Sequence, residues 1–172
     1  MKKRNTIFLI IGAIIFLIIL VPAISGGNSS NSDDSKTTST QNQKKTYGFD
    51  EEFEFDDLKI KIGANYSFTT IDNEFSDNYG KSVVKVPITV TNLKNETHGL
   101  NMFYYTIYGS KGTKVDSPST YFMDDAVDFA GDLRSDASYT KYLYFIYDGD
   151  GNYAIEFNNF SSKKTVEFNI KK

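Results

Sequence analysis

The chain predicts an antiparallel β-sandwich of about seven strands, and three observations carry that reading. Apolar residues recur at every second position in six short segments between residue 58 and residue 170. Turn-forming clusters separate those segments. No stretch of that region shows a period of 3.6. Period 2 with one apolar face is the pattern of a strand half-buried against a second layer. Many short strands with turns between them build sandwiches, or small closed barrels, which remain the alternative.

Each element can be read in order. Leu58, Ile60 and Ile62 alternate with Lys59 and Lys61. Tyr66 to Ile71 adds a short strand. Val84, Val86, Ile88 and Val90 alternate with Lys85, Pro87 and Thr89. Pro87 lacks a ladder donor, so this strand is expected at or near a sheet edge. Phe103, Tyr105 and Ile107 form the next apolar face, then Leu143, Phe145 and Tyr147. Tyr153, Ile155 and Phe157, and then Val166, Phe168 and Ile170, complete the set. Val86, Ile88, Ile107, Leu143, Phe145, Ile155 and Phe168 are the expected core between two sheets. Turn signals stand at Asn92–Gly99, Gly109–Gly112, Gly149–Gly151 and Asn158–Lys164. The segment Ser117–Asp132 is long enough to hold one helical turn.

Before this domain lies a segment of another kind. Lys2, Lys3 and Arg4 precede an uncharged apolar run, Ile7–Ile24. As a helix its eighteen residues span roughly 27 Å, close to the hydrocarbon thickness of a bilayer. A helix also satisfies every backbone group within lipid. The positive charges lie before the run, and none follows until Lys36, so the N-terminus is expected in the cytoplasm and the C-terminal domain outside. A signal peptide cleaved after Ala23-Ile24-Ser25 is the alternative, and it would secrete the domain. Ser25–Lys45 contains no large apolar residue and reads as a flexible, disordered tether, with an end-to-end distance of roughly 25 Å. The organisation is thus an anchor or signal over 1–24, a polar linker over 25–46 and one domain over 47–172.

Composition narrows the function. The chain has no cysteine, so neither a lipid-carrying cysteine nor a disulfide is available. Six of the 19 basic residues and two of the 22 acidic ones precede Tyr47, which leaves the domain near −7. Bulk charge therefore argues against nucleic acid and against an anionic membrane surface as partners. His98 is the lone histidine, in a turn-like loop, and no Gly-x-Ser-x-Gly elbow accompanies it. Asp148-Gly-Asp-Gly-Asn opens like a calcium loop, but Tyr153 and Asn159 stand where such a loop needs Gly and Glu. The bland reading is a hairpin between two strands. Acidic runs at Asp50–Asp57 and Asp124–Asp132 have the chemistry to gather calcium, or to supply a carboxylate pair for glycoside hydrolysis. Solvated charge is the simpler account, and no tryptophan is present to grip a sugar ring. No cofactor is expected and no catalytic or metal-binding residue is assigned.

Val83–Asn92 is similar to the v-x-v-x-v-x-N strand of a family of bacterial surface domains of unknown function with a telokin-like, immunoglobulin-type fold. Phe103–Val115 resembles that family's next strand and its Gly-containing turn. Leu133–Phe157 resembles its last long strand pair, although Ser135-Asp136 replaces the usual Gly-type turn. The resemblance implies export from a bacterium, Gram-positive by the look of the composition, and an immunoglobulin-like sandwich. It implies no activity. The expected function is a non-enzymatic, membrane-tethered extracytoplasmic module that binds a protein or an envelope component. A spacer or stress-related envelope protein without a ligand, or a calcium-dependent binder, are the alternatives. If the two apolar strand faces point inward, Tyr104, Tyr108, Tyr142 and Tyr144 point outward. They are the candidate interaction patch, provided their strands share a sheet.

Overall fold

In the computed structural model of the chain, residues 46–172 are described, and they fold as a two-sheet β-sandwich. The apolar run Ile7–Ile24, the Ser25–Lys45 linker and the cleavage alternative lie outside the described residues. Among the described residues no helix is long and apolar enough to cross a membrane.

Among the described residues nine strands run in chain order: β1 (Thr46–Tyr47), β2 (Glu52–Phe55), β3 (Leu58–Ile62), β4 (Ser67–Thr70), β5 (Ser82–Asn92), β6 (Tyr105–Tyr108), β7 (Ser138–Ile146), β8 (Gly151–Asn158) and β9 (Lys163–Ile170). One sheet has the order β1-β9-β8-β6. In the other, β5 pairs with β7 along one flank and with β3 and then β4 along the other, and β2 lies outside β3. All these pairings are antiparallel except β1 with β9.

The expected alternation holds, and all seven predicted core residues are buried between the sheets. Phe53 and Phe55 join them. Their strand was hidden in the acidic run: Glu52 and Glu54 take the outward positions of the pleat. Asp56 and Asp57 form the two-residue turn to β3, both with φ near +55° (54° and 55°). Two consecutive positive φ values are what a hairpin turn matching the strand twist requires.

Two expectations about strands are corrected. Pro87 does not mark an edge, because β5 is flanked on both sides. Its missing N–H points instead to a local break, where β3 ends at Ile62 and β4 begins at Ser67. Gly63 passes that break and donates to the Pro87 carbonyl at 2.8 Å. A Cβ on Gly63 would lie 2.9 Å from the proline ring, so glycine opens the space that proline needs. The second correction concerns Phe103, which is 84% exposed rather than inward. Asn101 accepts from the Phe103 N–H at 2.9 Å and caps a 3-10 turn, Met102–Tyr104, so the strand starts only at Tyr105.

The Asp148–Gly151 segment is likewise not a hairpin. It carries the chain from β7 in one sheet to β8 in the other. Gly149 and Gly151 adopt φ of 133° and 146° there, a region open to glycine. The Asp148 carboxylate accepts from Ser110 N–H, Ser110 hydroxyl and Tyr153 hydroxyl at 2.9, 3.0 and 2.7 Å. Its role is to tie this crossover to the turn after β6.

Candidate functional site

The candidate site grows from an irregularity in β5. Val84 faces the core, yet its neighbour Val83, on the opposite face, is also buried. A strand can bury both faces only if something covers its outer one. Here the cover is the segment 116–130, which lies across the outer face of β5 and β7. Ala126 of that segment packs with Val83, Ile71 and Tyr144 in a small second core. Phe122 lies flat on Tyr144, ring centroids 4.2 Å apart and 8° from parallel.

Backbone bonds fix this cover to the free flank of β7. Tyr142 N–H donates to Asp125 O and Ile146 N–H to Asp116 O, both at 2.9 Å. The Ser117 hydroxyl donates to Tyr144 O at 2.8 Å. The segment thereby occupies donors that an open edge would offer to other chains. Two 3-10 turns, Ser119–Tyr121 and Val127–Phe129, lie within it, where one helical turn was expected.

A charged network anchors the centre. Lys85 Nζ lies 2.7 Å from Asp125 Oδ2, and the Tyr144 hydroxyl donates to Asp125 Oδ1 at 2.6 Å. The Lys85 ammonium also stands 3.9 Å from the centre of the Tyr142 ring, within range of a cation–π attraction. Burial opposes the charge on both ions. For Asp125 the hydrogen bonds from Lys85 and Tyr144 overcome it and hold the carboxyl below its usual range. For Lys85 the adjacent Asp125 and Tyr144 raise its pKa above the ordinary lysine value. Burial and the bond to Asp125 push the Tyr144 phenol up to about 12. Beside this network an open groove of about 510 Å³ runs between Thr69, Lys85, Thr120 and Met123. Tyr121 and Met123 stand at its rim, 42% and 56% exposed.

The structure does not assemble the four predicted tyrosines into one patch. Tyr108 is on β6 in one sheet, while Tyr142 and Tyr144 are on β7 in the other. Tyr104 ends the 3-10 turn before β6 and packs edge-on against Phe55, centroids 6.3 Å apart. Tyr144 is outward from the sandwich core but only 2% exposed, being roofed by Phe122. Tyr142 and Tyr144 therefore belong to the floor of the groove's surroundings, beneath the 116–130 cover. Sequence reasoning missed Lys85 and Phe122, and it read Asp125 only as part of an acidic run, not as the partner of Lys85 and Tyr144. The signal was present in the adjacent pair Val83-Val84, which breaks strict alternation where both faces are covered.

A second hollow of about 420 Å³ lies between Tyr105, Lys114, Ser119 and Asp128. The Tyr105 hydroxyl donates to the Asp128 carboxylate, and burial with that neighbouring charge drives its pKa above the ordinary range. Elsewhere, His98 Nε2 lies 2.8 Å from the Asp56 carbonyl and 3.2 Å from its carboxylate. It fastens its loop to the β2–β3 turn rather than facing a nucleophile. Among the described residues, no three His, Asp or Glu side chains come together as a group that could hold a metal ion.

No protein-family model and no curated protein matches the sequence. Solved structures match the fold. The yjhA protein from Bacillus subtilis superposes with a TM-score of 0.53 at 12% identity, over 71% of this chain and 98% of its own. The ycdA protein from Bacillus subtilis, described as a lipoprotein, gives 0.50 at 22% identity, over 70% of this chain. This chain spans only 38% of that one. The secreted protein MPT63 from Mycobacterium tuberculosis gives 0.49 at 12% identity, over 76% and 100% of the two chains. The first two likenesses agree with the two-sheet fold.

Proposed function

We propose that the chain is a non-enzymatic, membrane-tethered interaction module of immunoglobulin type. It works outside the cytoplasmic membrane of a bacterium, with a Gram-positive envelope as the setting. Ile7–Ile24 is its anchor, with the N-terminus in the cytoplasm. The sequence supports this through the Lys2–Arg4 charges, the uncharged run and the polar linker. The partner is a protein or another envelope component.

The observation that carries the recognition site is the clamped cover over β5 and β7. Binding surfaces favour loops whose position a rigid scaffold fixes. This segment is stitched to β7 by backbone bonds and pinned by the Lys85–Asp125–Tyr144 network. It offers Tyr121 and Met123 beside a groove that also contains an ion pair. Apolar anchors within a polar rim are the usual composition of a protein-binding surface.

The test uses the full-length chain in its native membrane. A photo-crosslinking residue replaces Met123, and a second protein carries it at Asn169, on the exposed face of β9. An adduct of defined mass from position 123, absent from 169 and lost with Tyr121→Ser, is the expected result. Equal adducts from both positions would overturn the site. Protease added outside intact protoplasts should digest the domain and spare the N-terminus. A mature chain starting at Gly26 would replace tethering with secretion.

A further inference from the structure

The end of the sandwich at which the chain enters carries large exposed apolar side chains. Thr46 pairs with Thr165 and Tyr47 with Val166, in parallel. Because β9 starts at Lys163, β1 begins on the side of the β8–β9 hairpin. Phe160, at the tip of that hairpin, is fully exposed at 107%. Phe103 is at the same end. β6 pairs with β8 through Tyr105 and Phe157, and Phe103 lies two residues before Tyr105. The Asp56–Asp57 turn joins them, since Asn159 Nδ2 donates to Asp56 Oδ1 at 3.1 Å. Leu93, also exposed, is held there by its N–H on Asp57 O at 2.9 Å.

The hairpin tip is shaped rather than loose. Asn159 Oδ1 accepts from the N–H groups of Ser161 and Ser162 at 3.0 and 2.8 Å. That bonding satisfies the turn internally and turns Phe160 outward. One exposed apolar side chain is ordinary, but Phe103, Phe160 and Leu93 are exposed together at the end where the chain enters, and such a grouping points to a contact.

We infer that Phe103 and Phe160 form a second membrane contact, which seats the tether end of the domain on the bilayer interface. This rests on the tethered reading above. The linker of 21 residues reaches only about 25 Å on average. It therefore keeps the end it enters close to the lipid, at an effective concentration where even weak contacts form. Aromatic side chains at loop tips suit the headgroup–acyl boundary, where their rings leave water without reaching the hydrocarbon centre. The contact is apolar rather than electrostatic. Asp57 is paired with Lys94, and Glu156 with Lys163, at this end, and the domain as a whole is acidic. The opposite end also exposes an aromatic, Phe75 at 90%, but it lies across the length of β5 from the Asp57 turn. It serves as the control.

The lack of cysteine allows a direct test. Ser161→Cys gives the full-length chain a single attachment point for a polarity-sensitive dye. The protein is reconstituted into vesicles of phosphatidylethanolamine and phosphatidylglycerol containing a nitroxide-labelled lipid. A dye at position 161 should be quenched about threefold more than one at Glu74→Cys, and high salt should leave the difference intact. Phe103→Ser with Phe160→Ser should abolish the difference, Phe75→Ser should not, and neither change should alter the melting curve. Equal quenching at both ends, or quenching indifferent to the two phenylalanines, overturns the inference while the chain still floats with vesicles. A dye response that follows protein concentration instead of lipid would replace the bilayer by a second copy. A chain that fails to float removes the tethered reading and this inference with it.

Discussion

Asn92 closes β5, and its replacement tests how the sandwich holds its loops. The side chain is completely buried, yet all of its bonds are made. Nδ2 donates to Glu96 O at 2.7 Å and to Leu133 O at 2.9 Å, and Oδ1 accepts from Lys94 N–H at 2.8 Å. One amide therefore joins the end of the strand, the loop after it and the approach to β7. Asn92→Ala deletes three hydrogen bonds and strands the Glu96 carbonyl and the Lys94 N–H, while the Leu133 carbonyl keeps the His98 N–H as a donor at 2.9 Å. At about 0.5–1.5 kcal/mol per bond, with the stranded groups partly rehydrated, the loss is about 2–4 kcal/mol. For a domain of this size that lowers Tm by roughly 10 °C. Urea and thermal unfolding of the soluble domain, followed by circular dichroism, measure it. Asn92→Asp sharpens the test, because it keeps the acceptor for Lys94 but sets a carboxylate against two carbonyls. It should cost more than alanine. A loss below about 0.5 kcal/mol for Asn92→Ala, or an aspartate milder than alanine, would refute this account of the residue.

Other outcomes follow from the same geometry. Phe145 is wholly buried between the Tyr153 and Phe168 rings, so Phe145→Ala should cost about 3–5 kcal/mol. A loss under about 1 kcal/mol would mean the faces of β7 are reversed. Gly109→Ala puts a Cβ 2.3 Å from Asp148 Oδ2, so it should displace that carboxylate and destabilise the domain, with Tyr153 ionising closer to its ordinary range. In acid, Asp125 and Asp148 contribute stability because hydrogen bonds overcome burial and lower both pKa values. That stability is present above the unfolded value of about 3.9 and is lost as pH falls through the lower folded values, so unfolding should begin only below about pH 4. In alkali the sign reverses: Tyr139 and Tyr144 keep protons to about 12, chiefly through burial. The unfolded chain releases them near pH 10, so stability should fall from about pH 10 upward. A tyrosinate absorbance titration followed beside circular dichroism checks it.

The sequence by itself determined the period of the strands and the faces they bury. Alternation is local, and side chains two apart must share a face, so residues such as Ile88 and Ile155 could be assigned before any partner was known. It also revealed the Asn that ends β5, though not the three bonds that require it. Tertiary structure alone decided which strands share a sheet. Period 2 says nothing about neighbours, and so Tyr108 and Tyr142 looked like one surface while belonging to two. Pro87 illustrates the same gap, because a proline can sit in a central strand when the flanking strand breaks beside it, and only the placement of Gly63 shows that break. The roof over Lys85 and Tyr144 comes from a segment some thirty residues from β5, whose own text has neither period. Its position follows from what it covers: Val83 on the outer face of β5 and the unpaired flank of β7, both of which exist only once the sheet has formed.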